Sequence, residues 1–379
     1  MSQTKVLIVD DEERILEILK LYLENQNFDV YTAASGQEAL ELLERIEVEV
    51  IVSDLMMPNI DGTQLCRIVK NEEKYNNPYF IMLTAKTTVD SKIEGLSIGA
   101  DDYITKPFNV KEVIARVLAG ARIKKLQNTI LEKNKELEKY KAKMEKEIYM
   151  ASRFQKSLIP PKGKVTEEIS IDYLYIPAIQ IGGDIFDIRK QPNGNVAFFI
   201  ADVTGHGIVA ALIAAILKLS FVQASSQYSS PYDIAQKINK DLLETTTDEQ
   251  FVSLFIGVVD IHSMELKYIR AGHPEQFLKT QGKIIELSGD GFLIGITNNL
   301  LISEQKLSIM PDDIIYLYTD GITEAQNASG ELFGVNRLKN ILSHKDDLAA
   351  VLKEIKFFTT HFDDDITLVK IKLGINTLF

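Results

Sequence analysis

Two ordered sets of acidic residues carry the chemical content of this chain. The first is Asp10, Asp11 and Asp54, followed by Thr84 and Lys106. Three carboxylates gathered at one place repel one another unless a divalent cation sits among them, and Mg²⁺ suits an all-oxygen site that keeps several waters. A carboxylate beside Mg²⁺ can accept a phosphoryl group, with a lysine and a hydroxyl binding its oxygens. The second set is Asp184 in GGDIFD, Asp202 in ADVTGHG, Asp320 in TDGITEA, and the run Asp363, Asp364, Asp365. Hard carboxylates without a His/Cys cluster point to Mg²⁺ or Mn²⁺ rather than zinc. Two such ions about 4 Å apart clamp a phosphoryl group for in-line attack by water. Taken singly, each acid is an ordinary turn or loop residue; the order in which they recur gives them weight.

The elements that must position these residues differ between the two sets. Short apolar runs at 5–9, 50–53, 80–83 and 103–104 alternate with helical patterns such as Ile15, Leu16, Leu19 and Leu23. That alternation predicts a parallel sheet covered on both faces over roughly the first 120 residues, with the first acids at its carboxyl edge, where ligands bind. From Arg122 to Phe154 there is neither Gly nor Pro, and Ile123, Ile130, Leu137, Met144, Ala151 and Leu158 recur at intervals of seven. Leu126, Tyr140 and Phe154 fill the companion positions, interrupted by Lys133 and Glu147, and Pro160-Pro161 ends the pattern. This is a coiled-coil seam. Beyond it, alternating segments such as NVAFFIADV and VSLFIGVVDI, separated by turn residues, predict antiparallel strands. Helices are expected at about 208–225 and 231–246, with a third near 335–359. The fold class is therefore an α/β doubly wound parallel-sheet domain over 1–122, a coiled-coil linker over 123–158, and an α+β antiparallel β-sandwich flanked by helices over 159–379.

A net charge of −12 argues against a nucleic-acid surface, and a single cysteine excludes a disulfide framework. The N-terminus lacks the basic and apolar regions of a secretory signal, and the longest apolar segment, Ile208 to Leu217, is about half a membrane span. No membrane association and a cytoplasmic location are expected.

The stretches VDDE (9–12), SDLMMPNIDG (53–62), TA (84–85) and GADDYITKPF (99–108) resemble the receiver domain of two-component response regulators. The resemblance implies that Asp54 is the phosphoacceptor and that Asp10 and Asp11 hold Mg²⁺, with the Met56 carbonyl completing the site. It makes Thr84 and Tyr103 the switch pair and a sensor histidine kinase the partner. The second set, with QKSLIPP, RAGHPE (270–275) and FGVNRL (333–338), resembles the SpoIIE-type branch of the PPM serine/threonine phosphatases over about 155–372. By that resemblance Asp184 and Asp202 bridge two Mn²⁺ or Mg²⁺ ions, the Val203 carbonyl adds a ligand, and Asp320 and Asp364 complete the shells. The alternative register, Asp365 in place of Asp364, stays open. His206 and His273 are read as turn residues beside the site rather than as general acids. Cys66 lies on a helix of the first domain, away from any phosphate loop.

Together these features predict a response regulator in which phosphorylation of Asp54 controls hydrolysis of a phosphoserine or phosphothreonine protein. By family resemblance, an anti-sigma-factor antagonist is the natural substrate. The seam predicts a homodimer. A non-catalytic adaptor that only binds a partner through the phosphatase fold is the competing expectation, and a DNA-binding output is disfavoured because no basic recognition helix follows residue 160.

Overall fold

The computed structural model describes residues 3–85, 99–178, 180–205, 207–245, 250–359 and 362–374. The chain divides into two compact units, Met1–Ala142 and Lys143–Phe379.

In the first unit the apolar runs become β1 (Lys5–Val9), β2 (Asp29–Ala33), β3 (Val50–Asp54), β4 (Tyr79–Thr84) and β5 (Asp102–Thr105). They pair in the order β2-β1-β3-β4-β5, all parallel. Such strands are apolar throughout because both faces are covered. On one face α2 (Gly36–Leu43) and α3 (Gly62–Asn71) close a core around Leu7, Ile51 and Phe80. On the other, α1 (Glu13–Glu24) and the first turns of α4 (Val110–Leu158) cover Ile8, Val52 and Ile81 with Leu19, Val113 and Val117. Capping places the helices: Asp61 and Gln64 form a reciprocal capping box at α3. At α4, Asn109 Oδ1 accepts from the Lys111 N–H at 2.9 Å, while the Glu112 N–H donates to the Asn109 carbonyl.

Helix α4 runs without interruption for 49 residues through the expected linker. Its seam residues from Ile123 to Met144 are exposed in the single chain, Ile123 at 40% and Leu137 at 70%, as is Phe154, while Ala151 and Leu158 are half-buried.

The second unit contains two antiparallel sheets. One, in the order β14-β11-β10-β9-β8, is built from β8 (Ile185–Lys190), β9 (Val196–Val203), β10 (Val252–Asp260), β11 (Glu265–Ala271) and β14 (Gln305–Ser308). The other, in the order β13-β12-β15-β16-β7-β6, uses β6 (Gly163–Lys164), β7 (Ile169–Ile176), β12 (Gln276–Thr280), β13 (Lys283–Leu287), β15 (Ile314–Tyr318) and β16 (Ile366–Leu373). The alternation seen in the sequence serves two cores per sheet. Phe186, Phe198, Phe255, Leu317 and Val369 fill the space between the sheets. Outside the first sheet lie α5 (Ile208–Gln227) and α6 (Pro231–Thr245), packed through Phe221 and Ile238 against Phe199 and Ile256. Outside the second lie α8 (Val335–His344) and α9 (Leu348–Phe358), packed through Leu338 and Val351 against Tyr316 and Leu368. The single helix expected near 335–359 is thus two. The chain leaves α8 in an extended conformation at Lys345, and the Asp347 carboxylate caps a new helix by accepting from the Ala349 N–H.

Helix α5 is the one helix among the described residues long and apolar enough to cross a membrane. Here Ile213, Leu217 and Phe221 are buried in a β-sheet core, and its Lys218 forms a buried ion pair at 2.6 Å with Asp187 of β8.

Candidate functional site

The parallel sheet delivers its acids to one edge. Asp10 follows β1 and Asp54 ends β3, its neighbour in the sheet, so carboxylate oxygens of Asp10, Asp11 and Asp54 all lie within 4.8 Å of one another. Lys106 follows β5, and its Nζ reaches Asp54 Oδ1 at 2.8 Å and Asp10 Oδ2 at 3.0 Å. The other Asp10 oxygen accepts from the Glu12 N–H at 2.9 Å. Burial raises the Asp54 pKa, and the Lys106 ammonium works against that rise. Burial also acts to lower the Lys106 pKa, but its bonds to Asp54 and Asp10 outweigh it and leave it raised. Thr84 ends β4, beside Asp54 across the β3–β4 pairing, and the Lys106 N–H donates to its carbonyl at 2.7 Å. Met56 lies in the loop after β3 with its side chain 69% exposed.

The second set converges from four segments. Asp184 precedes β8 and is almost fully buried, and Asp202 stands near the end of β9. A Cβ added to Gly183 would come within 2.7 Å of the Val203 carbonyl and 3.3 Å of Asp202 Oδ1, so only glycine lets this loop lie on that strand end. Gly321 does the same for the next two segments: its Cβ would meet the Asp365 carbonyl at 2.1 Å and Asp364 Cβ at 3.3 Å. Asp320 opens α7 (Asp320–Thr323), and Asp364 is exposed just ahead of β16. These acids are not gathered as tightly as the first triad. Their proximity shows instead in their proton affinities. Asp202 is pushed up to about 7 by burial and by the charges of Asp320, Asp364, Asp365 and Glu324. Burial first, then Glu324 and Asp364, raises Asp320. Burial, then Asp202 and Asp365, raises Asp184 well above the carboxylate range. Among the described residues none of Asp184, Asp202, Asp320 or Asp364 has a lysine or arginine partner. Such a donor set, all oxygen and mutually repulsive, fits divalent cations.

Two family models match this chain: Response regulator receiver domain over residues 6–118, and Stage II sporulation protein E (SpoIIE) over residues 192–374. The chain joins a receiver domain to a SpoIIE-type PPM phosphatase domain. The receiver is similar to the regulatory protein VanR of Enterococcus faecium, 43% identical over 130 residues, which are 34% of this chain and 55% of that protein. The chain thus spans about half the length of that curated relative. A Francisella response regulator receiver domain is 40% identical over 32% of this chain and 98% of its own, with a TM-score of 0.30. The SiaA-PP2C domain of Pseudomonas aeruginosa shares the fold of the second domain, with a TM-score of 0.55 at 20% identity over 62% of this chain and 99% of its own.

Within the phosphatase domain the two terminal acids differ in their surroundings. Asp365 is buried and fully engaged: Oδ1 accepts from the Ala178 N–H at 2.9 Å, and Oδ2 from the Gly183 and Asp184 N–H groups at 2.7 and 3.3 Å. Asp364 keeps an exposed carboxylate. Sequence reasoning missed Thr319 and Thr367, whose hydroxyls donate to the same Asp184 oxygen, Oδ2, at 2.7 and 2.5 Å. Both bonds fall on one oxygen, which orients the other. A threonine beside a strand-end acid was a visible signal, but the Thr319–Thr367 pairing across β15 and β16 was not. Glu324, inside the TDGITEA motif, was also missed as part of the field on Asp202 and Asp320. His273 is buried, its pKa is pushed down to about 3 by burial, and its Nδ1 pairs with the Ser253 hydroxyl at 2.7 Å. Burial thus favours a neutral imidazole at this position. His206 lies outside the described residues. In the receiver, the Tyr103 ring packs against the core on the α2–α3 face, and burial raises its phenol to about 12.

Proposed function

We propose that this protein is a response regulator in which a sensor histidine kinase phosphorylates Asp54 and thereby controls a metal-dependent protein serine/threonine phosphatase. The observation that carries the catalytic half is the Asp184–Asp202–Asp320–Asp364 group. Burial and the neighbouring carboxylates raise the proton affinity of Asp184, Asp202 and Asp320, while Thr319 and Thr367 fix the orientation of Asp184. An adaptor that only binds a partner has no use for such repulsion, which lowers stability. Asp184 and Asp202 are assigned as the bridging ligands, with the Val203 carbonyl, Asp320 and Asp364 completing the shells. Two Mn²⁺ or Mg²⁺ ions, when bound, neutralise this group, polarise the phosphoryl oxygens and activate water for in-line attack. The buried Asp184 stays fixed through its two threonine bonds, and water rather than a side chain is the attacking group, so no phosphoenzyme forms in this domain.

In the receiver, Asp10 and Asp11 would hold Mg²⁺ with the Met56 carbonyl. An Asp54 oxygen attacks the phosphorus of the kinase phosphohistidine as the N–P bond breaks and the imidazole leaves, Lys106 binds the transferred group, and Thr84 and Tyr103 respond as the switch pair. The change reaches the phosphatase through α4, whose exposed heptad seam supports homodimerisation, and through α5, which starts a few residues after Asp202. The domains are assigned as 1–122, 123–158 and 159–379. The favoured substrate is a phosphorylated anti-sigma-factor antagonist or a similar signalling protein, and the location is cytoplasmic, without membrane or nucleic-acid contact.

The deciding experiment is Mn²⁺-dependent hydrolysis of p-nitrophenyl phosphate and of a phosphoserine peptide by the full chain, with and without beryllofluoride. Turnover abolished in Asp202→Ala supports the enzyme. Absent turnover in the unsubstituted chain returns the adaptor, and metal-independent turnover overturns the two-metal reading.

A further inference from the structure

The last turns of α4 present an inversion of the heptad pattern. The seam residue Phe154 is 62% exposed, while its polar neighbour Gln155 is only 4% exposed. Ala151, Leu158, Ile181, Ile208 and Leu212 surround a small apolar cavity of about 60 Å³ that Gln155 also lines. Burying an amide in such surroundings is unfavourable unless both of its ends are hydrogen-bonded. Both are, and to one residue: Gln155 Nε2 donates to the Gly182 carbonyl at 2.6 Å, and its Oε1 accepts from the Gly182 N–H at 3.2 Å.

The Gly182 carbonyl belongs to the same peptide group as the Gly183 N–H. That N–H donates to Asp365 Oδ2 at 2.7 Å, and the next, on Asp184, reaches the same oxygen. One peptide plane is therefore held at its oxygen by α4 and at its hydrogen by the acid ahead of β16. It is flanked by glycines, whose backbone torsions resist rotation least of all residues. It immediately precedes Asp184, and Gly183 lies against the Val203 carbonyl and Asp202.

We propose that Gln155 is a positioning residue that ties α4 directly to the metal-binding loop of the phosphatase, setting the orientation of the Gly182–Gly183 peptide and through it that of Asp184. This inference rests on the phosphatase reading above and adds a second route to the site that does not pass through α5. Axial rotation or sliding of α4 by a fraction of a turn breaks the amide pair, and Asp365 alone then holds the peptide plane.

The test measures Mn²⁺ uptake by electron paramagnetic resonance of the free ion, using the full chain in an Asp11→Asn background so that receiver binding is suppressed. Gln155→Met keeps the side-chain length and loses both bonds. It should raise the Mn²⁺ concentration for half-saturation roughly tenfold, the lower end of the range for groups that orient metal ligands. Hydrolysis of p-nitrophenyl phosphate should recover as Mn²⁺ is increased, unlike that of Asp202→Ala. Gln155→Leu, which loses both bonds in a different shape, should match Gln155→Met. Unchanged Mn²⁺ uptake in Gln155→Met overturns the proposal. If Gln155→Met lacks a cooperative melt, Gln155→Leu decides, and uptake equal to the parent's overturns it. Failure of the parent itself to take up Mn²⁺ refutes the phosphatase reading instead. Uptake by the parent that Asp202→Ala abolishes and Gln155→Met leaves intact refutes only the role of Gln155.

Discussion

The two acid clusters of this chain solve the same electrostatic problem in opposite ways. In the receiver the counter-charge is built in: Lys106 sits 2.8 Å from Asp54 and 3.0 Å from Asp10. In the phosphatase domain no lysine or arginine partner reaches Asp184, Asp202, Asp320 or Asp364 among the described residues, and burial with neighbouring carboxylates raises the proton affinity of Asp184, Asp202 and Asp320, that of Asp202 up to about 7. A site that stores a phosphoryl group must stay organised before and after the transfer, so a permanent cation serves it. On the proposed function, a site that turns over many substrates can leave its charge unbalanced until metal arrives, because such an imbalance would itself draw the metal in.

The largest effect should come from removing the buried member of the unbalanced cluster. Asp184→Asn keeps the shape and the capacity to accept from Thr319 and Thr367 but removes the charge, and Mn²⁺-dependent turnover should fall about 1000-fold, the loss of several kcal/mol of transition-state stabilisation. A loss below tenfold would mean that this acid is not a ligand. In the receiver, Lys106→Met leaves Asp54 and Asp10 without their cation and should slow phosphorylation by acetyl phosphate roughly 10–100-fold, read on phosphate-affinity gels. Turnover of p-nitrophenyl phosphate by unphosphorylated Lys106→Met should stay near that of the parent. A parallel collapse of both activities would contradict the separation of the two sites.

A smaller step tests the residues that only the structure revealed. Thr367→Val removes one of the two hydroxyls on Asp184 Oδ2 and should weaken Mn²⁺ binding about tenfold, with little change in turnover at saturating metal. An unchanged Mn²⁺ titration would show that Thr319 suffices.

These residues also mark where the sequence stopped being legible. The acids themselves could be read because each stands at the end of an apolar run or beside glycines, and local pattern is enough to place a residue at a strand end. The receiver's parallel sheet and the paired antiparallel sheets followed from the same signals. Thr319 and Thr367 could not be read, since their role depends on β15 lying beside β16, a pairing between segments 48 residues apart. Gln155 was hidden for another reason: the heptad pattern directs attention to Phe154 and Leu158, whereas at this end the helix buries Gln155 beside Leu158 and leaves Phe154 exposed. The three backbone N–H groups that Asp365 accepts, which set its surroundings apart from those of Asp364, come from segments remote in the chain and were equally hidden.

The smallest predicted effect concerns stability rather than rate, and its sign is the reverse of that for an ion-paired carboxylate. Asp202 has a folded-state pKa of about 7, against an ordinary value of 3.8. Between about pH 4 and 7 the unfolded chain has lost this proton while the metal-free folded chain still holds it. The folded state therefore binds more protons, and its stability falls as pH rises through that window. Asn at this position cannot titrate and carries no such penalty. Metal-free Asp202→Asn should therefore equal the parent near pH 4 and exceed it at pH 7.5 by on the order of 1–2 kcal/mol, since the side chain is partly solvent-exposed. That is a few degrees in the melting temperature of a domain this size. Added Mn²⁺ should reverse the order, because only the parent retains the full ligand set. The receiver supplies the internal control. Asp54 already has Lys106, so Asp54→Asn should show a much weaker gain over the same pH range. An equal gain at both positions would mean that built-in and missing counter-charge make no difference, and the contrast between the two sites would fall.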